Sequence, residues 1–369
     1  MEPNKRMTTL MTIENLSQLP EDLLALIAKR LFAHDFRDFL NFGAVCRPWR
    51  SIMYEKNHYA GVRPRVPWLI RARKYQDSTD IYKIVSLPSR KYFYLHIPKA
   101  QGNECWGSPH GWLIVRGKVR DIYLLNPITH VQIELPQTNR IIVRAMLFLS
   151  PNSSSSAISS GNYIVMVIFR PHNELAIVRH GDENWINFAN SSRKKCVDVI
   201  CIGDQLYAVN DEGALFFYNV NIPRPAVSQF SQPCFTKKPE EERTLYLVEI
   251  NGDLHLVSRH KYELGCTYDV YFEIYKMNFG TKKWVQMSGC NDHAVFVGSN
   301  SSSCVLASDY PKLKENCIYF ADEGSYSYGN HPGSLRMGLY DFYSRTISFL
   351  VRDPPSQLSS QLWITPNLW

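Results

Sequence analysis

Apolar residues recur with helical spacing at the front of the chain, and then that spacing stops. Over residues 19–31, LPEDLLALIAKRL, the side chains of Leu23, Leu24, Ile27 and Leu31 fall on one side of a 3.6-residue period. Pro20 suits the first turn, where its missing N–H costs nothing, and Glu21 and Asp22 complement the positive end of the helix dipole. Lys29 and Arg30 stand in the last turn, where cations are favoured. A second helix is expected from Asp35, an N-cap residue type, with Asp38 in its first turn and Phe36, Phe39, Leu40 and Val45 as apolar positions. Pro48 breaks that pattern and can open a third short helix carrying Trp49 and Ile52. Three short helices bury a very small core, so such a unit is marginal alone and gains from a partner.

From about Asp80 the pattern changes to short apolar runs bounded by Gly, Asn, Asp, Pro or Ser, the signature of strands and turns. The runs come in a loose order that repeats. Strands start near residues 111, 162, 204, 252 and 316, at spacings of about 51, 42, 48 and 64. A period of roughly 40–50 residues with four strands per unit points to propeller blades, which leave only short sheet edges exposed. The long last spacing fits an inserted loop, and residues 65–105 with the end of the chain can complete a sixth unit. The fold class is therefore α+β multidomain. A three-helix unit over 13–55 leads through a basic linker over 56–78 to an all-β, propeller-like domain over 79–369 with about six blades. Stacked β-sandwiches are the alternative architecture.

Charge sharpens this division. The net charge is +7, and residues 47–75 hold eight basic residues against Glu55 alone, so that stretch accounts for all of it. A short basic segment is not the wide basic face of a nucleic-acid binder, which argues against a nucleic-acid partner. It reads as a solvated linker, with a nuclear import patch or an acidic partner as alternatives. The 9 cysteines are scattered without CxxC spacing, which fits free thiols in a reducing compartment. Asn152 and Asn300 match the glycosylation acceptor pattern, which carries meaning only in a secreted chain. No signal-like segment stands at the front and no apolar run reaches the length of a membrane span. An intracellular protein of the nucleus, the cytoplasm or both is expected, with no membrane association.

Two groups of residues carry a resemblance. The run Leu19-Pro20-x-Asp22-Leu23-Leu24-x-x-Ile27-x-x-x-Leu31, followed by Ala44-Val45-Cys46-Arg47-x-Trp49-Arg50, resembles an F-box. Cys105-Trp106-Gly107-Ser108-x-His110-Gly111-Trp112-Leu113 and Leu124-Leu125-Asn126-Pro127-Ile128-Thr129 resemble the C-terminal domain of plant F-box proteins of kelch-like type. The chain lacks the paired glycines of kelch blades, and Phe42 stands where F-box members often carry a basic residue. The resemblance implies a substrate-receptor subunit of an SCF-type E3 ubiquitin ligase. Its helices would dock on a Skp-type adaptor, and through it a cullin, while the C-terminal domain would hold a target protein. Leu19, Pro20, Leu23, Leu24, Ile27, Val45, Cys46 and Trp49 would then lie at or near the adaptor contact. The other reading is a stand-alone interaction propeller with no ligase role, its helices capping or dimerising.

No nucleotide-binding loop, HExxH or GxSxG occurs, so neither an enzyme, a cofactor nor a metal is expected. His255 and His260, and Cys196 and Cys201, read as strand residues rather than metal pairs. Residues 324–333 mix glycines with Tyr326, Tyr328 and His331, a composition suited to adaptable recognition, and make a candidate target-binding loop. Ser153–Ser156 and Ser299–Ser303 read as disordered polar loops.

Overall fold

The computed structural model describes residues 19–59, 66–73, 80–87, 91–100, 102–149, 158, 161, 163–188, 195–203, 205–218, 227–235, 241–264, 267–300, 302–321, 336–352 and 358–369. The chain divides into two compact units, Met1–Arg65 and Val66–Trp369.

The first unit holds helices α1 (Glu21–His34), α2 (Phe36–Val45) and α3 (Arg47–Tyr54) and a short 3₁₀ turn, Lys56–Tyr59. The Asp35 carboxylate accepts from the Arg37 N–H at 2.9 Å and caps α2, and Pro48 lies in the first turn of α3. The core is aromatic. Phe32 meets Phe36, Phe39 and Tyr59 at ring-centroid distances of 5.7, 5.0 and 4.6 Å. The Tyr59 hydroxyl, which would be costly to bury unpaired, donates to the Ile52 carbonyl at 2.9 Å. Phe42 is core: it is buried and stacks on Trp49 at 4.5 Å. Gly43 lets α2 and α3 approach, since a Cβ there would sit 2.2 Å from the Met53 sulfur.

The second unit is a six-bladed propeller. Its strands in chain order begin with β1 (Trp68–Arg73), β2 (Ile81–Ser86), β3 (Lys91–His96), β4 (Glu104–Trp106), β5 (Leu113–Arg116), β6 (Ile122–Leu125), β7 (Gln132–Leu135), β8 (Ile142–Leu149), β9 (Tyr163–Phe169), β10 (Glu174–Arg179) and β11 (Ile186–Asn187). They continue with β12 (Cys196–Ile202), β13 (Gln205–Asn210), β14 (Leu215–Tyr218), β15 (Val227–Gln229), β16 (Glu241–Ile250), β17 (Asp253–Leu264), β18 (Thr267–Asn278) and β19 (Lys283–Met287). The last are β20 (His293–Val297), β21 (Ser303–Leu306), β22 (Cys317–Ala321), β23 (Arg336–Asp341), β24 (Thr346–Arg352) and β25 (Leu358–Ile364). Its sheets run β25-β1-β2-β3, β4-β5-β6-β7, β8 to β11, β12 to β15, β16 to β19, and a five-stranded β21-β20-β22-β23-β24. The first blade joins β1 (Trp68–Arg73), β2 (Ile81–Ser86) and β3 (Lys91–His96) to β25 (Leu358–Ile364) from the other end of the chain, with Trp68 opposite Ile364. The ring is thus closed by one strand from each end, as the sixth repeat requires. The strands expected near 111, 162, 204, 252 and 316 are the second strands of their blades in four cases: β5 (Leu113–Arg116), β9 (Tyr163–Phe169), β13 (Gln205–Asn210) and β17 (Asp253–Leu264). The fifth is β22 (Cys317–Ala321), and the long spacing before it is an added strand, β21 (Ser303–Leu306), rather than a loop alone. That addition leaves β20 (His293–Val297) antiparallel to β21 and parallel to β22.

Two expectations are corrected here. The described residues of the stretch 56–78 are no free linker: they form the 3₁₀ turn and β1, and Arg71 is fully buried against Gln361, whose amide oxygen accepts from the guanidinium at 3.1 and 3.3 Å. Within the polar run 299–303, Asn300 is not part of a loose loop either: it is buried and held at both ends of its amide. Such an Asn300 offers no nitrogen to a glycan.

Asn300 belongs to a polar hub that ties all six blades. Its amide nitrogen donates to the Trp363 carbonyl of the first blade at 2.7 Å and to the Gly107 carbonyl of the second at 3.3 Å. Its amide oxygen accepts from the Trp363 N–H at 3.1 Å. The Arg144 guanidinium of β8 (Ile142–Leu149) donates to the Gly298 and Asn300 carbonyls at 3.1 and 2.7 Å and lies 3.1 Å from the Asp198 carboxylate. Asp198 sits on β12 (Cys196–Ile202) and accepts from its neighbour Val199 at 2.8 Å and from Leu247 of β16 (Glu241–Ile250) at 2.7 Å. Burial pushes the Asp198 carboxyl pKa up, while Arg144 and the two backbone donors pull it back.

A second fastening uses residues 365–369. The Asn126 amide donates to the Asn367 carbonyl at 3.0 Å, the Trp112 indole to Trp369 at 3.1 Å, and Thr365 N–H to Ser108 at 3.1 Å. The Gly-Ser-x-His-Gly-Trp motif is the seat of this strap. His110 lies in it, and burial holds its pKa at about 4. His255 is lowered by burial too. The His110 imidazole is therefore neutral in the fold above about pH 4, and unfolding takes up a proton below its ordinary value. Stability is expected to rise with pH between about 4 and 6.5 and to fall on acidification through that window, with His110 adding a slope of at most about 1.4 kcal/mol per pH unit and His255 acting in the same direction. Urea midpoints measured across this range check it, and His110→Gln should flatten the slope.

Candidate functional site: an exposed apolar face on the helices

Helix α1 divides its apolar residues between two faces. Leu24, Ala28 and Phe32, at i, i+4 and i+8, are buried in the helical core. Leu23, Leu26 and Ile27, spaced i, i+3 and i+4, point the other way and remain 48, 49 and 38% exposed. Leu31 lies between the two faces and is half-buried. The F-box resemblance placed Leu24 with Leu23 and Ile27 at or near the contact, and sequence spacing put the three on one side of the helix. The Leu24 side chain, 3% exposed, belongs to the core instead, because the face that meets Phe32 and Ala28 passes through it.

The other expected positions separate in the same way. Leu19 is half-buried and Pro20 exposed at the start of α1. Val45, the last residue of α2, is half in water, and Cys46 beside it is partly covered. Trp49 is half-buried through its stack on Phe42. Leu26 and Tyr54 are also largely exposed and were missed; the i, i+3 spacing from Leu23 was the available signal for Leu26. Exposed leucines singly need no explanation, but three on one turn of an otherwise well-packed helix do. What this face can do is bury itself against another protein.

Other candidate chemistry is geometrically weak. His255 and His260 do not converge: His255 Nδ1 contacts the Asp253 carbonyl at 3.0 Å. Ser258, His260 and Glu273 are the residue types of a hydrolase triad, yet the Ser258 hydroxyl at 3.0 Å and the Glu273 carboxylate at 2.8 Å share the same ring nitrogen. A triad needs them on opposite nitrogens, and Ser258 is fully buried. Cys196 is buried and Cys201 half-buried along one strand, and burial raises the Cys196 thiol pKa. Glu21, Glu55 and His58 bring ligand atoms within 4.8 Å of one another, and the 2.6 Å His58–Glu55 contact accounts for them as a surface pair. Tyr326, Tyr328 and His331 lie outside the described residues. Among the described residues, no helix is long and apolar enough to cross a membrane.

Comparison with known proteins adds what geometry alone lacks. The KIB1-4 beta-propeller family matches residues 84–341, most of the chain. The chain belongs to that family. Among its relatives is a putative F-box protein of Arabidopsis thaliana, 24% identical over 355 residues, covering 90% of this chain and 92% of that protein. A second putative F-box protein of the same plant is 26% identical over 394 residues, covering 99% and 97%. A third is 26% identical over 340 residues, covering 83% and 87%. Among solved structures, the N-terminal domain of Nup159 aligns over 79% of this chain and 71% of its own, at 12% identity and a TM-score of 0.34. This KIB1-4 propeller protein thus carries three helices in front of its blades and has full-length relatives named F-box proteins.

Proposed function

We propose that this KIB1-4 propeller protein is a substrate-receptor subunit of an SCF-type ubiquitin ligase. The helical unit docks on a Skp-type adaptor, which links it to a cullin, and the propeller holds the target protein. The subunit does no covalent chemistry; it brings the target within reach of the enzyme that does. The exposed face of Leu23, Leu26 and Ile27 carries this reading, because it is apolar surface left over after the unit has packed its own core. Burying the remaining exposed half of three such side chains is worth on the order of 1 kcal/mol each, enough to matter at a docking surface. Val45, Cys46, Trp49 and the Leu19-Pro20 entry flank it in the sequence and are proposed to extend it. That the chain's relatives are named F-box proteins supports a Skp-type adaptor as the occupant. Free thiols throughout the described residues support a reducing compartment, the nucleus or the cytoplasm.

The test is direct binding of the full chain to a purified Skp-type adaptor. The wild type should bind at micromolar affinity or tighter, and Leu23→Asp with Ile27→Asp should weaken binding by about 100-fold, since each places a charge in an apolar contact. The double variant should lose far less stability than Leu24→Asp, because Leu23 and Ile27 are 48 and 38% exposed and lie outside the helical core. Leu24→Asp should instead unfold the helices. A folded wild type that binds no adaptor overturns the ligase reading and leaves an interaction propeller.

A further inference from the structure

The first blade carries a stripe that neither its packing nor the adaptor reading uses. Among the described residues, strand β3 is the outer edge of its sheet, with β2 on one side and no strand on the other. Tyr92 and Tyr94 alternate onto one face and are 59 and 54% exposed, their ring centroids 6.1 Å apart. Register puts Lys83 opposite Tyr94 and Ile81 opposite His96 on that same face. The Lys83 ammonium sits 4.6 Å from the Tyr92 ring centroid. Ile81 is 42% exposed, a further apolar surface beside the tyrosines. The inner half of the face, Leu69 and Val85, is buried against the sixth blade. Its outer half is open.

Among the described residues, lysines dominate this edge: Lys91 and Lys99 are exposed and Lys83 is partly covered, with the imidazoles of His96 and His130 exposed beside them. Acids are fewer: Asp80 lies 3.7 Å from His96, and Asp121 and Glu134 act on Tyr123, whose hydroxyl donates to the Lys99 carbonyl. An edge strand guarded by lysines repels an identical edge of a second copy, so self-pairing is disfavoured. The same charges favour an extended acidic segment, whose carboxylates meet Lys91 and Lys99 and whose alternate side chains lie on the tyrosines. Exposed tyrosines suit this, since a rigid ring offers contact area at little entropic cost. His130 Nε2 contacts the His96 carbonyl at 3.0 Å and marks where the open edge ends.

We propose that β3 is a docking edge for an extended acidic peptide segment of a partner protein, with Tyr92 and Tyr94 as the apolar anchors. This goes beyond the adaptor reading and is independent of it, because the probe addresses the propeller and no adaptor is present in the mixture. The experiment is fluorescence polarisation on the full chain with two labelled probes of about ten residues, one alternating glutamate and valine and one alternating glutamine and valine. The acidic probe should bind at least about tenfold more tightly, and the preference should shrink in high salt. Tyr92→Ser with Tyr94→Ser should weaken it by about tenfold or more, and Lys91→Glu with Lys99→Glu should reverse the preference between probes. Tyr343→Ser, at an exposed tyrosine of the sixth blade, should change nothing. Equal binding of the two probes, binding unmoved by the β3 variants, or no binding by the wild type each overturns the proposal.

Discussion

Asp198→Ala is expected to cost the propeller roughly 3–5 kcal/mol, measured as a fall in the urea midpoint at constant slope. The substitution removes the carboxylate 3.1 Å from Arg144 and leaves that guanidinium buried, with carbonyls as its remaining partners. Two backbone donors, Val199 and Leu247, lose their acceptor at the same time. A buried charge without its counter-charge is far more costly than the pair was favourable. Replacing both partners, as Arg144→Met with Asp198→Leu, should therefore recover much of the loss. That recovery separates a charge effect from a cavity effect, since the cavity of Asp198→Ala alone is small. A loss below about 1 kcal/mol for Asp198→Ala would mean that water already reaches the hub.

The hub explains which parts of the fold were legible in the sequence. Blade spacing was readable because each second strand is a run of apolar residues ended by a polar turn, as in the fully buried β9. The innermost strands were harder. β4 (Glu104–Trp106) has three residues, and β8 and β12 each carry a charge, Arg144 and Asp198, inside an otherwise apolar run. Local reasoning treats such a charge as a break in a strand. Here it is the strand's contribution to a contact between blades 54 residues apart in sequence, Arg144 with Asp198, a pairing that no window of 10–18 residues can contain. The lone charge was still a signal, because a charge in an apolar run is kept only with a partner. Arg71 was misread for the same reason: charge density suggested a solvated linker, whereas Gln361 from the far end of the chain buries it.

The helical unit shows a different limit. Its helices, its Asp35 cap and its Pro48 start were all readable, since each depends on neighbours a few residues away. Which leucines face inward was not. Leu23 and Leu24 are adjacent and chemically identical, and a rotation of about 100° between them decides which joins Phe32 in the core and which meets water. The decision is made by the aromatic cluster of Phe32, Phe36, Phe39 and Tyr59, drawn from three elements. The exposed apolar face is what remains once that cluster is satisfied, so it is defined by tertiary packing rather than by spacing. The β3 stripe follows the same logic, with Leu69 and Val85 covered by the next blade and the two tyrosines left outside.

Gly111→Ala is expected to destabilise the ring by about 3 kcal/mol or more, and Gly181→Ala supplies its measure. The two glycines share a φ of +85°, so an alanine pays the same left-handed backbone cost at each, about 1 kcal/mol. At Gly181 a Cβ would meet nothing within 4 Å. At Gly111 it would lie 2.3 Å from the Asn367 Cβ and 2.6 Å from its backbone nitrogen, so residues 365–369 must leave their seat. With them go the Asn126 bond to Asn367 and the Trp112 bond to Trp369, and Trp112, now fully buried, is exposed to water. The difference between the two alanine variants, read from urea midpoints and from Trp fluorescence, is thus the worth of the strap alone. Equal losses would show that residues 365–369 lie on the second blade without holding it. A larger loss at Gly111, with the helix content of the first unit unchanged by circular dichroism, would show that the ring is held shut at two places. One is the pairing of β25 with β1; the other is the strap that continues past it onto the neighbouring blade.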